Sequence, residues 1–228
     1  MSPFVSEVIP ANGTIGGAAE AWIDASGEDL FATTAVALQM PMFEFLATRP
    51  ALTLPVWATA EADRFLQRFT ASSFVGVCFA GDDPETLRQF QPRILEAIGM
   101  ALGSPDAMAL NFFTTRYSFA HRPEADRARL EEASTQAGAF LTGLSTLDAR
   151  IVPCADLPIE LVAALLARCR YFVGGDNGIK HVAWALDIPR TFFVKARPLR
   201  LEIMRWMPDV HRMLTFDCPD AQLRRHLL

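Results

Sequence analysis

Residues 171–181 (YFVGGDNGIKH) contain the residue types that proteins use to hold a phosphate group. An apolar run typical of a β-strand leads into Gly174 and Gly175, and glycine permits close backbone approach and positive φ. We predict that a helix begins at Gly178. The first turn of a helix presents unpaired N–H groups and the positive end of the helix dipole, so it favours a bound anion.

Four polar side chains lie in the same segment. Asp176 or Asn177 could cap the predicted helix. Lys180 and His181, one turn inside that helix, could donate further hydrogen bonds to an anion. Because a carboxylate repels phosphate, we expect Asp176 to cap the helix or to contact sugar hydroxyls. A tight strand-to-helix connection can use the same residues without any ligand, and that alternative stays open.

Other motifs and clusters give weaker signals. The pattern G-x-x-x-x-G-K-[ST] occurs nowhere, and no G-x-G-x-x-G follows the first predicted strand, which argues against a nucleotide triphosphatase and a nicotinamide dehydrogenase. Asp82, Asp83 and Glu85 could form a carboxylate cluster, although a charged turn before a helix is the simpler explanation. Arg116 and Tyr117 could stack on a base or serve as ordinary loop residues.

The composition indicates a globular protein with an apolar core. The chain has 228 residues, of which 51% are hydrophobic. Lys and Arg number 21 against 26 Asp and Glu, so no excess of cations is available to bind a nucleic-acid backbone. No apolar run approaches the roughly 18 residues that a membrane span needs. Residues 1–10 lack a basic segment before an apolar one, so we expect no secretory signal.

The cysteines and histidines are scattered along the chain, without the spacing of a metal site. Free thiols, rather than disulfides, are therefore the expected state of the four cysteines, which are Cys78, Cys154, Cys169 and Cys218. Free thiols are typical of a reducing compartment. The sequence thus predicts a cytoplasmic protein without a metal.

From about residue 70 the chain alternates between short apolar runs and amphipathic helices. The predicted strands are residues 72–80, 107–113, 149–153, 171–173 and 189–194, and the predicted helices are residues 84–102, 124–139, 158–168 and 178–186. Since this alternation implies parallel pairing through crossover helices, we predict an α/β fold with a doubly wound parallel sheet. Such sheets bind ligands beyond the carboxyl ends of their strands. A short, mostly helical segment, with a helix at residues 60–69, precedes the sheet.

Residues 165–194 resemble the signature of glycosyltransferase family 9, the ADP-heptose:lipopolysaccharide heptosyltransferases and their relatives. In that family a strand ends in a Gly-Asp-x-Gly-x-x-His-x-Ala turn, which a helix and a strand beginning with proline follow. The corresponding residues of this sequence are Gly175, Asp176, Gly178, His181, Ala183 and Pro189. A looser resemblance extends over residues 31–218.

The resemblance implies a GT-B fold of two Rossmann-like halves, of which this chain contains the C-terminal, donor-binding half. Asp176, Gly178 and His181 would line the site for a nucleotide-diphosphate sugar, with Asn177 by adjacency. The implied reaction is a metal-free sugar transfer that uses this donor substrate and no cofactor; helix-terminal amides and cationic side chains stabilise the departing diphosphate. The catalytic carboxylate of the family's first half has no counterpart here, so the catalytic residue is unassigned.

The sequence also departs from the family. Residues 71–228 account for one Rossmann-like nucleotide-sugar-binding domain, and residues 1–70 are expected to be a remnant of the acceptor-side domain or an interface. Lys195 and Arg197 follow the last predicted strand, where relatives carry glycine. These two cations could bind phosphate or form a solvated turn.

Two functions remain as alternatives. In the first, a glycosyltransferase-like protein binds a nucleotide-diphosphate sugar and transfers the sugar. In the second, a degenerate and non-catalytic domain acts as a binding, regulatory or scaffold subunit, and the acidic turn at residues 81–83 favours this alternative. Because half of a GT-B enzyme would expose an apolar cleft wall, we expect a homo-oligomer or a partner protein that supplies the acceptor side.

Overall fold

The computed structural model describes residues 52–80, 84–115, 124–194 and 211–227. The chain divides into two compact units, and all of the described residues lie in the unit formed by Ala51–Lys195 and Val210–Leu228. The other unit lies outside the described residues. Elements are numbered below in chain order within the described ranges.

Six strands form one sheet, in which every neighbouring pair is parallel. The strands are β1 (Phe74–Cys78), β2 (Met108–Phe113), β3 (Ile151–Ala155), β4 (Cys169–Gly175), β5 (Arg190–Val194) and β6 (His211–Thr215). Their order in the sheet is β3-β2-β1-β4-β5-β6. This is the Rossmann order, and the predicted doubly wound parallel sheet is confirmed.

Helices cover both faces of the sheet. They are α1 (Val56–Leu66), α2 (Pro84–Gln89), α3 (Gln91–Leu102), α4 (Glu124–Leu147), α5 (Ile159–Leu166), α6 (Gly178–Ala185) and α7 (Asp220–Leu227). Helices α3 and α4 pack on the strands of one face and α7 packs on α3, whereas α5 and α6 pack on the other face and α1 packs on α5. Each face therefore has its own apolar core.

Aromatic rings fill the core on the first face. Phe216 stacks on Phe90 with ring centroids 5.0 Å apart and on Phe193 at 5.4 Å, and Phe79 lies 6.0 Å from Phe193. Phe192, on the same strand as Phe193, points to the other side of the sheet, because successive strand residues alternate between faces. Trp184, Phe192 and Phe193 are buried in the core.

The helix predicted over residues 84–102 is interrupted at Phe90, which separates α2 from α3. Phe90 is the N-cap of α3, and a proline follows within the first turn of that helix. Proline lacks the N–H that an uninterrupted helix would need at this position, but it fits the first turn of a new helix. The interruption aims the Phe90 ring at Phe216.

The helix predicted over residues 124–139 continues to Leu147. Its second half is rich in hydroxyl side chains, and Thr135, Thr142 and Thr146 donate hydrogen bonds to carbonyls three or four residues earlier. These bonds keep the polar groups paired within the helix. The helix predicted over residues 60–69 instead spans Val56–Leu66. Strand β6 has no counterpart among the predicted strands.

Candidate functional site

The predicted phosphate-binding turn lies at the switch point of the sheet. Strands β1 and β4 are neighbours, yet the connections from β1 lead to one side of the sheet and those from β4 to the other. Cys78 ends β1 and is in register with Gly174, and the turn at residues 176–178 follows β4 directly. In open α/β sheets this is where a crevice forms between diverging connections and where ligands bind.

Gly174 lets β4 pass close to the end of β1. A Cβ atom at this position would lie 2.3 Å from the carbonyl oxygen of Cys78 and 2.7 Å from the ring of Phe172. The predicted close backbone approach is therefore found at Gly174, where the neighbour is another strand of the protein. Positive φ occurs elsewhere in the described residues, at Gly103, Asp156 and Asp187.

Asn177 is the residue that caps α6, which settles the choice between Asp176 and Asn177. Its backbone is extended, and its Oδ1 accepts a hydrogen bond from the amide of Ile179 at 3.0 Å. Its Nδ2 donates to the carbonyl oxygen of Cys78 at 2.9 Å. The one side chain thus closes the helix and ties its N-terminus to the end of β1.

The N-terminus of α6 is open to solvent. Gly178, the first residue of the helix, is exposed, and a Cβ atom there would meet no atom within 4 Å. The amides of Ile179 and Lys180 donate to the side chain and the carbonyl of Asn177. Within the part of the chain that the structure describes, no hydrogen bond occupies the amide of Gly178. The amide therefore belongs to the exposed first residue of the helix, at the positive end of the helix dipole.

Asp176 and Lys180 form an ion pair across one turn of α6. The Nζ atom of Lys180 contacts Oδ1 of Asp176, and the two side chains are 2% and 14% exposed, respectively. Nζ also lies 4.3 Å from the centre of the Phe192 ring, a cation–π contact. The ammonium group predicted to reach an anion is thus held inside the protein, and the charge of Asp176 is balanced.

His181 lies beside this pair and is uncharged. Burial, together with the positive charges of Lys180 and Arg190, lowers the pKa of its imidazole to about 3. At neutral pH the ring can exchange a hydrogen bond with a ligand or with the turn, but it adds no positive charge to the site.

The low pKa of His181 predicts a specific loss of stability in acid. The His181 imidazole takes up a proton near pH 6.5 in the unfolded chain, but only near pH 3 in the folded chain. The contribution of the neutral imidazole to the free energy of unfolding is therefore complete above pH 6.5 and decreases as the pH falls. Between pH 7.5 and 5 the loss amounts to about 2 kcal/mol. Urea unfolding of the wild type and of His181→Gln at both pH values measures it. An equal pH response in both proteins would show that His181 titrates normally.

A second polar group, which the sequence did not single out, lies at the carboxyl ends of β2 and β3. Asp156 accepts hydrogen bonds from the hydroxyl groups of Thr114 at 2.8 Å and Thr115 at 2.6 Å, and from the Thr115 amide at 2.7 Å. Asp156 has a φ of 55°. The signal that the sequence offered for this residue was an aspartate placed directly after a strand. Aspartate also adopts positive φ more readily than most residues.

Several predicted candidates lie outside the described residues. They are Lys195 and Arg197, which were predicted to bind phosphate or to form a solvated turn, and Asp82, Asp83, Arg116 and Tyr117. The four cysteines are buried free thiols. Burial raises the pKa of Cys154 to about 12, so its thiol stays protonated and unreactive.

A sequence model described as glycosyltransferase family 9 (heptosyltransferase) matches residues 118–204. The resemblance to family 9 is confirmed. The match covers less than half of the chain, and it contains β3, β4, α6, β5 and the turn at residues 176–178. No curated protein matches the chain significantly in sequence.

Solved structures that are similar to the chain include three glycosyltransferases. The Escherichia coli ADP-heptose lipopolysaccharide heptosyltransferase II superposes with a TM-score of 0.50 at 15% identity, over 89% of this chain and 58% of that one. The E. coli heptosyltransferase WaaC, with ADP-2-deoxy-2-fluoro heptose, has a TM-score of 0.40 at 18% identity, over 83% and 48%. The spinosyn rhamnosyltransferase SpnG, with spinosyn aglycone, has a TM-score of 0.41 at 15% identity, over 78% and 40%.

The chain spans 58% of the length of heptosyltransferase II, so the likeness is one of fold over part of that protein. The fold is a Rossmann-like α/β arrangement, which the superposed part of heptosyltransferase II shares. Among the described helices none is long and apolar enough to cross a membrane. Among the described residues, no group of three or more His, Cys, Asp or Glu side chains is arranged to hold a metal ion.

Proposed function

We propose that this chain binds a nucleotide-diphosphate sugar, with the diphosphate on the N-terminus of α6, and acts in sugar transfer. The observation that carries the proposal is the exposed residue Gly178 at the switch point between β1 and β4, whose amide has no hydrogen-bond partner among the described residues. The family 9 match over the same turn supports it. Gly175, Asp176 and Asn177 shape the turn, and Lys180 and His181 support it from inside.

Neither the backbone conformation nor the packing of the protein requires glycine at position 178. It lies in a helix, its φ is not positive, and a side chain there would enter open space. Glycine in a helix costs stability relative to alanine. A glycine at this place is consistent with a ligand that approaches the backbone closely, as a diphosphate on a helix N-terminus does.

The chemistry that we propose for the turn is electrostatic. As the bond between sugar and diphosphate breaks, negative charge accumulates on the departing diphosphate. The amide of Gly178 and the positive end of the α6 dipole are held in place by the fold before the reaction, and they would stabilise that charge. Lys195 follows β5 in the sequence and stays a predicted additional phosphate ligand.

A second candidate function is binding without catalysis, as a regulatory or scaffold subunit. One observation favours it: Asp156 and Asp176, the carboxylates that follow β3 and β4, are both engaged. Asp156 accepts bonds from Thr114 and Thr115, and Asp176 pairs with Lys180. Neither is placed to act as a general base, so an acceptor would need its base from elsewhere, such as a partner protein or a second copy.

We place either function in the cytoplasm, where the buried thiols would stay reduced.

The proposal predicts that Gly178→Ala weakens binding of ADP or UDP without loss of stability. The added methyl group would keep the diphosphate from the amide, and loss of one charge-assisted hydrogen bond lowers affinity by about ten- to a hundredfold. The free energy of unfolding is expected to stay unchanged or to rise by up to about 1 kcal/mol. Calorimetric titration with ADP and with UDP measures the affinity.

Gly143→Ala is the matched control. Gly143 also lies in a helix, α4, and a Cβ atom there also meets nothing within 4 Å. The same gain in stability with unchanged nucleotide affinity is expected. Absence of binding by the wild type at millimolar ADP and UDP would refute the proposed function. Hydrolysis of an ADP-sugar or UDP-sugar by a protein that binds nucleotide would favour the catalytic candidate over the binding one.

A further inference from the structure

Asn177 caps α6 with a side chain that carries no charge. Its Oδ1 accepts a hydrogen bond from the amide of Ile179 at 3.0 Å, and its Nδ2 donates one to the carbonyl oxygen of Cys78 at 2.9 Å. Asparagine and aspartate cap helices about equally well, and the charge of aspartate also interacts favourably with the helix dipole. The capping contact by itself therefore does not select the neutral side chain.

The contact with Cys78 does select a neutral side chain. A carbonyl oxygen can only accept a hydrogen bond, and an ionised carboxylate has none to donate. A serine or threonine hydroxyl could cap the helix, but its single oxygen cannot take the places of both Oδ1 and Nδ2. Among the usual capping side chains, asparagine supplies an acceptor and a donor on separate atoms. The pairing of β1 with β4 thus goes together with an uncharged cap on α6.

An uncharged cap matters for an anionic ligand at the same helix end. The positive end of a helix dipole attracts any negative charge close to the first turn. A carboxylate at position 177 would lie beside Gly178, whose amide has no hydrogen-bond partner among the described residues. It would repel a diphosphate bound at that amide. The neighbouring carboxylate, Asp176, instead contacts the ammonium group of Lys180.

We infer that Asn177 is a specificity-determining residue of the proposed site. It closes α6 without a charge and so leaves the positive end of the helix dipole to the diphosphate of the ligand. Asn177 acts through the charge at the helix end and needs no contact with the ligand. This inference rests on the proposed function, because it concerns the ligand of the same site. Its consequence is that a carboxylate at position 177 weakens binding of the charged nucleotide and not of the uncharged nucleoside.

The test compares Asn177→Asp with Asn177→Ser by calorimetric titration with ADP and adenosine, or with UDP and uridine if the wild type prefers uracil. Both variants keep a side-chain acceptor for the helix and lose the donor to Cys78, so charge distinguishes them. Asn177→Asp is expected to bind the diphosphate about tenfold more weakly than Asn177→Ser, the effect of roughly one Coulomb interaction near a protein surface. The two variants are expected to bind the nucleoside with affinities within about twofold of each other.

Ionic strength separates repulsion from a displaced helix end. Raising the salt concentration from about 20 mM to about 500 mM is expected to shrink the difference between the two variants to about threefold or less, because salt screens charges at a surface. A difference that arose from altered packing would persist at high salt, and that result would overturn the inference.

Equal affinities of the two variants for the diphosphate, or equal differences for diphosphate and nucleoside, would also overturn the inference and leave the proposed function standing. If Asn177→Asp does not fold, Asn177→Ser tests the inference by itself. Because serine adds no charge, this variant is expected to keep the wild-type ratio of diphosphate to nucleoside affinity within about threefold, and a selective loss of about tenfold for the diphosphate would overturn the inference. Failure of the wild type to bind either nucleotide refutes the proposed function, and the inference with it.

Discussion

Gly174→Ala is expected to destabilise the protein strongly, because it places a methyl group against the backbone of a neighbouring strand. Its Cβ would lie 2.3 Å from the carbonyl oxygen of Cys78, a backbone atom that a side-chain rotation cannot move. Relief requires β1 and β4 to separate at the centre of the sheet. We expect the free energy of unfolding to fall by about 3 kcal/mol or more, the upper part of the usual range for overpacking. Urea unfolding followed by circular dichroism measures it.

Gly143→Ala again provides the control, since the same substitution there meets nothing within 4 Å. It is expected to stabilise α4 by about 0.5–1 kcal/mol. A Gly174→Ala protein that is within about 1 kcal/mol of the wild type would contradict the close approach of the two strands. Gly174→Ala is also expected to abolish the proposed nucleotide binding. Separation of the two strands would move Asn177, which caps α6, away from the carbonyl oxygen of Cys78.

Asp176→Asn is expected to have a comparably large effect on stability. The substitution removes the negative charge that contacts the buried ammonium group of Lys180. Removing one partner of a buried ion pair typically costs about 3–5 kcal/mol. Chemical unfolding of Asp176→Asn, of Lys180→Met and of the double variant forms a double-mutant cycle that isolates the coupling between the two side chains.

The double variant is the decisive member of that cycle. Because this variant removes both charges of the pair, its free energy of unfolding is expected to lie within about 1 kcal/mol of the wild-type value or above that value. Proteins in which a buried ion pair has been replaced often behave in this way. A cost below about 1 kcal/mol for Asp176→Asn alone would mean that Lys180 reaches water or another anion when Asp176 is neutral. A double variant as unstable as the single one would mean that the two positions do not couple.

Most of the sheet could be predicted from the sequence because buried parallel strands are short, continuous apolar runs. Residues 72–80, 107–113 and 189–194 each contain the strand that the structure shows there, and the turn before α6 begins where the glycines indicate. Strand β6 (His211–Thr215) was missed because its sequence, HRMLT, lacks such a run. Its place at the edge of the sheet, paired with β5 alone, explains the weaker pattern.

The sequence singled out the turn at residues 176–178, but it did not determine the contacts of the side chains there. Two adjacent residues, Asp176 and Asn177, have nearly equal capping propensity, so local chemistry could not choose between them. The choice depends on the Cys78 carbonyl, 99 residues earlier in the chain, to which the amide of asparagine can donate and a carboxylate cannot. From its place in the first turn of the helix, Lys180 was expected to reach an anion. Its burial depends on packing against Phe192, which the helix sequence does not reveal.

The amino-acid sequence by itself determined the alternation of strands and helices, their parallel pairing and the glycine-rich turn, since these depend on local periodicity and on backbone freedom. The tertiary structure decided which amide of that turn faces solvent and which charges are balanced within the protein. Those outcomes depend on contacts between residues distant in the chain: Asn177 with Cys78, and Lys180 with Phe192. Burial and neighbouring charge, which set the pKa of His181 to about 3, likewise exist only once the sheet has formed.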